Sequence, residues 1–280
     1  MNINKKIHII TFANKKFIQN YDDINHSFKK KGITKNDITL YDLNWVKYNS
    51  NYYNDNKKIF DSVRGAGYWA WKPLIIIDKL NKVSDGEIVI YQDCGKGFIY
   101  KPFLFPKNIL SLVEKNNFCC GVNIAEYGYN YKWSKPSLIS KIYFGGKAFL
   151  DNSFQVQATW SFWKKVKESF DYLYKWRDIC LNYDNISDNR INDDKNCEFL
   201  IDHRHDQSIN TLIANQMYDN NRTIFIKSDK IIPFNKSFSF VELYLRFKEN
   251  YFFNFFIIML RLLYLLRAKL LSIKFSFFQK

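Results

Sequence analysis

At 280 residues, with 47% apolar and 19% aromatic side chains, the chain can bury a full hydrophobic core, which excludes a disordered polypeptide. Its formal net charge of +15 calls for a solvated surface or an anionic counterpart: nucleic acid, anionic lipid or a phosphorylated substrate. Cys94, Cys119, Cys120, Cys180 and Cys197 are odd in number and include no C-x-x-C, which argues against a disulfide framework or structural zinc and for a reducing compartment.

Residues 1–10 lack the apolar core and cleavage site of a secretory signal, so the expected location is the cytoplasm. Residues 6–12 (KIHIITF) read as a first buried strand, a short β-branched apolar run entered from a charged start. Helix-compatible polar sequence follows to Lys31, and residues 38–43 (ITLYDL) read as a second strand. Strand, helix, strand is how an α/β nucleotide-binding domain opens. A helix is expected over residues 74–80, just after Pro73, because proline suits a first helical turn. Asp85-Gly86 marks a turn, and residues 87–91 (EIVIY) form a third strand running into Gln92, Asp93, Cys94 and Gly95.

Residues 153–180, with Trp160, Trp163 and Trp176, read as core-facing helix and sheet. Residues 182–197 (NYDNISDNRINDDKNC) are rich in Asn and Asp without an apolar period, and are expected to form an exposed loop. A helix is expected to start near Asp206, with that residue as its N-cap. The tail differs in kind. Residues 251–271 (YFFNFFIIMLRLLYLLRAKLL) are apolar but carry Arg261, Arg267 and Lys269, and an arginine near mid-bilayer costs at least about 2.5 kcal/mol. An interfacial helix on an anionic membrane surface fits this stretch better than a spanning one. Two units follow: a catalytic-type domain over residues 1–240 and a basic, apolar, amphipathic helical tail over residues 241–280.

Three groups of residues can carry chemistry. Asp93 stands at a strand end, and Gly95 allows close backbone approach, a setting suited to a cation bridging a diphosphate. Residues 64–73 (RGAGYWAWKP) put Arg64 and Lys72 around two glycines and two tryptophans; the cations can meet phosphate, and an aromatic such as Trp71 can stack on a base or sugar. Residues 202–210 (DHRHDQSIN) gather two of the four histidines with Asp206 and Gln207, and His203 or His205 can ligate a metal or orient a phosphate.

The order R-G-x-G-Y-W-x-W-K-P, then Y-x-D-x-G, then H-R-H-D-Q-S resembles bacterial glycosyltransferases of capsule and lipopolysaccharide gene clusters. Asp206, Gln207 and Asn210, with two residues between Gln207 and Asn210 instead of three, are also similar to the D-Q-x-x-x-N signature of family 8 type glycosyltransferases. The resemblance spans residues 64–215. It implies a GT-A-like (Rossmann-like) α/β fold, a mixed sheet flanked by helices, with a nucleotide-diphosphate sugar as donor and Mn2+ or Mg2+ as cofactor. By the same resemblance Asp93 stands where a metal-binding D-x-D begins. Arg64, Gly67, Trp71, Lys72, Asp93 and Gly95 lie near the donor, while Asp206 and Gln207, with His205, face the transferred sugar. Two features depart from the pattern: Gly95 replaces the second aspartate, and the C-terminal H-x-x-G-x-x-K-P-W is absent. Either His205 or His203 supplies a missing metal ligand, or the dependence on metal is weak.

Glu126, Trp133 and Lys135, in the polar aromatic stretch EYGYNYKWSK, form an acceptor wall or else a plain surface loop. The expected activity is hexosyl transfer to a glycan or lipid-linked acceptor in surface polysaccharide synthesis, at the inner face of the cytoplasmic membrane. The rivals are a basic nucleic-acid-binding protein, a non-catalytic membrane-peripheral assembly protein, and an enzyme moving a phosphoryl-linked group. No zinc-finger, RRM or KH signature accompanies the dispersed basic residues, so nucleic acid is not the expected partner.

Overall fold

The structure, a computed structural model, describes residues 7–14, 17–18, 20–21, 38–94, 109–142, 153–191, 194–218 and 225–227. The tail at 241–280 and Gly95 lie outside the described residues.

The first strand forms where the apolar run demands it: β1 (Ile7–Phe12) is buried along almost its whole length. β2 (Ile38–Tyr41) pairs with it in parallel, Ile9 opposite Ile38 and Phe12 opposite Tyr41. It ends earlier than its apolar pattern implies, because the Asp42 carboxylate accepts the Trp45 N–H at 2.7 Å and so caps α1 (Leu43–Asn49). A short helix α2 (Lys57–Phe60) precedes the glycine-rich motif, and α3 (Trp71–Lys82) follows it. Pro73 is the third residue of α3, in the first turn, where its missing N–H has no partner to lose.

α3 delivers the chain to β3 (Ile88–Gln92), which pairs in parallel with β1. After α4 (Ile109–Asn116) come β4 (Phe118–Cys119), β5 (Val122–Tyr129), α5 (Pro136–Ile142), β6 (Phe154–Gln157) and β7 (Trp160–Lys164). The last described elements are α6 (Lys167–Cys180), α7 (Tyr183–Ile186), α8 (His205–Tyr218) and β8 (Ile226–Lys227). The main sheet has the order β2-β1-β3-β7-β4, parallel through β2, β1 and β3 and antiparallel at β7 and β4. A second sheet has the order β6-β5-β8.

Strand side chains alternate between faces, and each face of the main sheet feeds its own core. Val89, Tyr91 and Trp163 join Leu74, Ile75 and Leu80 of α3 with Tyr172, Leu173 and Trp176 of α6. Ile88, Ile90 and Phe162 join Ile9, Ile38 and Val113 on the other side. The three tryptophans of residues 153–180 are thus all buried. The fold is a mixed α/β sheet flanked by helices, as expected of the fold class.

The described part of residues 182–197 is exposed at 182, 184, 188–190 and 195–196 but departs elsewhere from the exposed loop that its composition implies. It contains α7, and Asn185, Ser187 and Asp194 are buried. The reason is that their polar groups are matched: the Asp194 carboxylate accepts from the Ser137 N–H at 2.9 Å and the Ser137 hydroxyl at 2.7 Å. All five cysteines are free thiols.

Candidate functional site

In open α/β sheets, ligands gather outside the carboxyl ends of the parallel strands. Asp93 directly follows β3 at that end and is pinned there by its N–H, which donates to the Thr159 carbonyl at 2.8 Å. Its carboxylate accepts from the Tyr91 hydroxyl. Lys72, in the first turn of α3, reaches the same place. Its ammonium lies 2.7 Å from Asp206 and 3.8 Å from Asp93, and it donates to the Ala158 carbonyl at 3.0 Å. Asp206 comes from the first turn of α8. Lys72 and Asp206 side chains are only 4% and 5% exposed, whereas Asp93 keeps 20%. Asp93 is therefore the face of the triad that solvent and ligand can reach.

Burial alone would pull the Lys72 ammonium down, but the negative charges of Asp206 and Asp93 outweigh it and leave its pKa raised. Burial pushes Asp206 up to about 6 even with Lys72 opposing, and it raises Asp93 too. Burial and the neighbouring Asp93 hold Tyr91 well above its ordinary range, so it keeps its proton and donates. Two carboxylates thus face one ammonium and one phenol.

The glycine-rich motif shapes the approach to Lys72 by its backbone. Gly65, Ala66, Gly67, Tyr68 and Trp69 have φ of 60°, 51°, 98°, 54° and 59°, a left-handed helical turn. The Tyr68 N–H donates to the Arg64 carbonyl at 2.7 Å and the Trp69 N–H to the Gly65 carbonyl at 3.2 Å, closing the turn. Left-handed φ costs roughly 1–2 kcal/mol for each non-glycine residue, so Ala66, Tyr68 and Trp69 store strain here. A Cβ on Gly65 would come within 2.3 Å of the Trp69 ring, and one on Gly67 within 3.0 Å of the Phe60 Cα. Trp71 is no open stacking platform. It is 3% exposed, stacks on Phe12 with centroids 3.7 Å apart, and donates its indole N–H to the Gly65 carbonyl at 3.0 Å.

Arg64 stands at the start of this turn, paired with Asp188 at 3.1 Å and Asp202 at 3.2 Å, its side chain 45% exposed. Behind it sit the two histidines, both buried. The His205 Nδ1–H donates to the Ile186 carbonyl at 2.7 Å and its ring lies 5.1 Å from that of Tyr68. The His203 Nε2–H donates to the Asn185 carbonyl at 2.8 Å. Burial lowers both pKa values, His203 the more strongly, so both rings are neutral. α8 begins at His205, so Asp206 is not its N-cap, as the sequence pattern implies; its carboxylate turns inward to Lys72 instead.

Gln207 donates to the Gln155 side chain at 3.0 Å and so ties α8 to β6. Asn210 accepts from the Tyr172 hydroxyl at 2.7 Å and donates to the Cys120 carbonyl, a packing role. Glu126 lies within β5, outside any loop, and its side chain is outside the described residues. Trp133 is 6% exposed under the Arg204 guanidinium, 4.9 Å from its ring. Lys135 is fully buried and donates to the carbonyls of Asp184, Ser187 (3.1 Å) and Asn189 (3.0 Å), which stitches α7 and its flank to α5. The structure thus brings Lys72, Asp93 and Asp206 together, with Arg64 and His205 on an adjoining face. Trp133 and Lys135 stand apart from that cluster as scaffolding. The hydroxyl of Tyr91 is a participant that motif reading passes over, although a position two residues before Asp93 places it on the same strand face.

A divalent cation at Asp93 needs several further oxygen or nitrogen ligands. Among the described residues no three His, Cys, Asp or Glu side chains converge. Asp93 is engaged by Tyr91 and Lys72, while His205, whose Nδ1 donates to a backbone carbonyl, keeps a buried Nε2 without a hydrogen-bond partner, 3.6 Å from Asp188. Comparison with protein-family models, curated proteins and solved structures returns no match. Among the described residues, no helix is long and apolar enough to cross a membrane.

Proposed function

We propose that the chain is a glycosyltransferase of GT-A type that takes a sugar from a nucleotide-diphosphate donor and passes it to a glycan or lipid-linked hydroxyl. One observation carries the reading: Asp93, the exposed member of a buried Asp–Lys–Asp triad, stands at the carboxyl end of β3, beside the antiparallel strand β7. The sheet order, parallel on one side of β3 and antiparallel on the other, supports it as well. So does the basic apolar tail at residues 251–271, which suits a lipid-linked acceptor at the inner face of the cytoplasmic membrane.

In the reaction the bond from the sugar C1 to the β-phosphate oxygen breaks, and the electron pair leaves on the diphosphate. A bond forms from C1 to the acceptor oxygen, whose proton passes to a base. Lys72 and Arg64 supply positive charge near a leaving diphosphate. Asp93, partly exposed, accepts from sugar or acceptor hydroxyls. Asp206, raised to about 6, is poised to exchange a proton near neutral pH.

The test is a thermal-shift screen of the purified protein against UDP-, GDP-, CMP- and dTDP-sugars, followed by Asp93→Ala. One nucleotide class is expected to raise the melting point, since saturation at 100 times Kd stabilises by about 2.7 kcal/mol. Transfer is expected to vanish in Asp93→Ala with the fold retained. No shift with any donor, together with tight salt-sensitive binding of RNA or DNA, would overturn the reading in favour of a nucleic-acid-binding protein.

A further inference from the structure

Trp133 and Lys135 are scaffolding, and Trp71 is buried against Phe12, so a sugar needs another surface to stack on. The exposed rings lie elsewhere. Tyr129, at the end of β5, is 39% exposed, and Phe199 is 57% exposed. The Tyr129 ring is nearly parallel to those of Tyr131 and Phe154, at 15° and 12°, with centroids 5.9 and 5.4 Å away. Tyr131 in turn meets Phe199 edge to face at 6.0 Å. Four rings from three chain segments thus form one continuous ledge, exposed at Tyr129 and again at Phe199. Apolar side chains scattered singly over a surface need no explanation, but rings in mutual contact that stay exposed mark a binding surface.

The ledge runs into the candidate site along the backbone. The Ile201 and Asp202 N–H groups both donate to the Lys132 carbonyl, at 2.9 and 3.4 Å, so the chain from Phe199 to Asp202 lies beside Tyr131 and Lys132. Three residues separate Phe199 from Asp202, a span of at most about 11 Å. The Asp202 and Asp188 carboxylates flank the Arg64 guanidinium, and all three side chains are close to half exposed. Each carboxylate keeps acceptor positions beyond its pairing with Arg64. His205 lies against them and is 2% exposed. With its Nδ1–H committed to the Ile186 carbonyl, its Nε2 is a buried acceptor without a donor, 3.6 Å from Asp188 Oδ1. Acceptors therefore outnumber donors on this rim.

That combination selects its occupant. An anionic headgroup would meet two carboxylates against one guanidinium, like charge against like. An acyl chain or an apolar protein surface would cover the rings but bring no donors to Asp188, Asp202 and His205. A pyranose supplies both: hydroxyls that donate, and a C–H face that lies flat on the negative face of an aromatic ring.

We infer that the ledge is the acceptor subsite, and that it takes a neutral oligosaccharide whose sugars stack on Tyr129, Tyr131 and Phe199 while hydroxyls donate to Asp188, Asp202 and His205. This rests on the glycosyltransferase reading.

The experiment uses the full chain and three neutral probes, maltohexaose, cellohexaose and chitohexaose, with binding followed by saturation-transfer NMR. Saturable binding of at least one is expected. Phe199→Leu, which removes the ring face but keeps an apolar side chain, is expected to weaken it roughly five-fold or more. Phe199→Tyr is expected to bind as the wild type does, and Asp202→Ala to bind more weakly. Binding of none of the probes overturns the inference, as does binding that Phe199→Leu leaves intact. Vesicles of phosphatidylglycerol and phosphatidylethanolamine test the rival occupant: vesicle binding abolished by Phe199→Asp, with no oligosaccharide bound, assigns the ledge to lipid and overturns the inference. The donor screen separates the two readings. A donor that stabilises the chain while no oligosaccharide binds leaves the transferase reading standing without this subsite. Oligosaccharide binding that depends on Phe199, with no stabilising donor, keeps the ledge as a glycan site and removes the transferase reading.

Discussion

Lys72 and Asp206 lie 134 residues apart in the chain, yet their charged atoms meet at 2.7 Å with almost no exposure to water. A buried pair of this kind adds little net stability over an apolar one, but it is costly to break. Lys72→Met leaves Asp206 and Asp93 facing each other without compensation. It is expected to lower the unfolding free energy by about 3–5 kcal/mol in urea denaturation. Adding Asp206→Asn to that variant is expected to restore a measurable part. No recovery in the double variant would show that the loss is one of packing and not of charge.

The pH dependence of stability carries the signature of Asp206. Its folded-state value of about 6 lies above the ordinary 3.8, so the native state holds the proton more tightly than the unfolded chain. The stabilisation from that proton is complete below about pH 3.8 and is lost as pH rises to and through about 6. Between pH 4 and pH 7 the wild type is therefore expected to lose up to about 3 kcal/mol relative to Asp206→Asn. Chemical denaturation of the two proteins across that range checks it; parallel curves would refute the elevated value.

The left-handed turn makes opposite demands on neighbouring positions. Gly65→Ala places a methyl group 2.3 Å from the Trp69 ring at a φ of 60° and is expected to cost at least about 2 kcal/mol. Ala66→Gly relieves a left-handed alanine and is expected to be neutral or stabilising, by up to about 1 kcal/mol. Thermal melts of both variants decide this. Equal losses in the two would mean that strain at this turn is not what the glycines relieve.

Lys135→Met removes the ammonium that satisfies the carbonyls of Asp184, Ser187 and Asn189. A loss of at least about 2 kcal/mol is expected, because buried acceptors are left without a donor. Limited proteolysis is expected to cut first within residues 182–191. Wild-type resistance to protease in that stretch would assign the holding role to Asp194 instead.

Much of this architecture is written locally. The apolar run of β1, the strand entering Asp93, and the helix around His205–Asp206 follow from periodicity, since a strand or helix must bury one face. Three things escape such reading. Residues 182–197 look solvated, because polar composition does not reveal that Ser137 and Lys135, about fifty residues earlier, wait to receive their polar groups. Trp71 looks like a stacking surface, yet its indole is claimed by Phe12 at the end of β1. The two glycines of residues 64–73 announce an unusual backbone but not its handedness, which the ring of Trp69 lying on Gly65 helps to fix. The candidate site itself is half legible. Lys72, Asp93 and Asp206 are each visible in the sequence, but their meeting is decided by long-range topology.

That topology has a consequence for how the chain emerges from the ribosome. Lys72, on the helix before the third strand, and Asp93, just after that strand, are synthesised early, whereas Asp206 arrives on the last long helix of the described residues. Until that helix docks, the lysine has only Asp93 as a counter-charge and stays partly hydrated. A chain cut short before residue 206 lacks the carboxylate that meets Lys72 at 2.7 Å, so its interior is electrically unfinished.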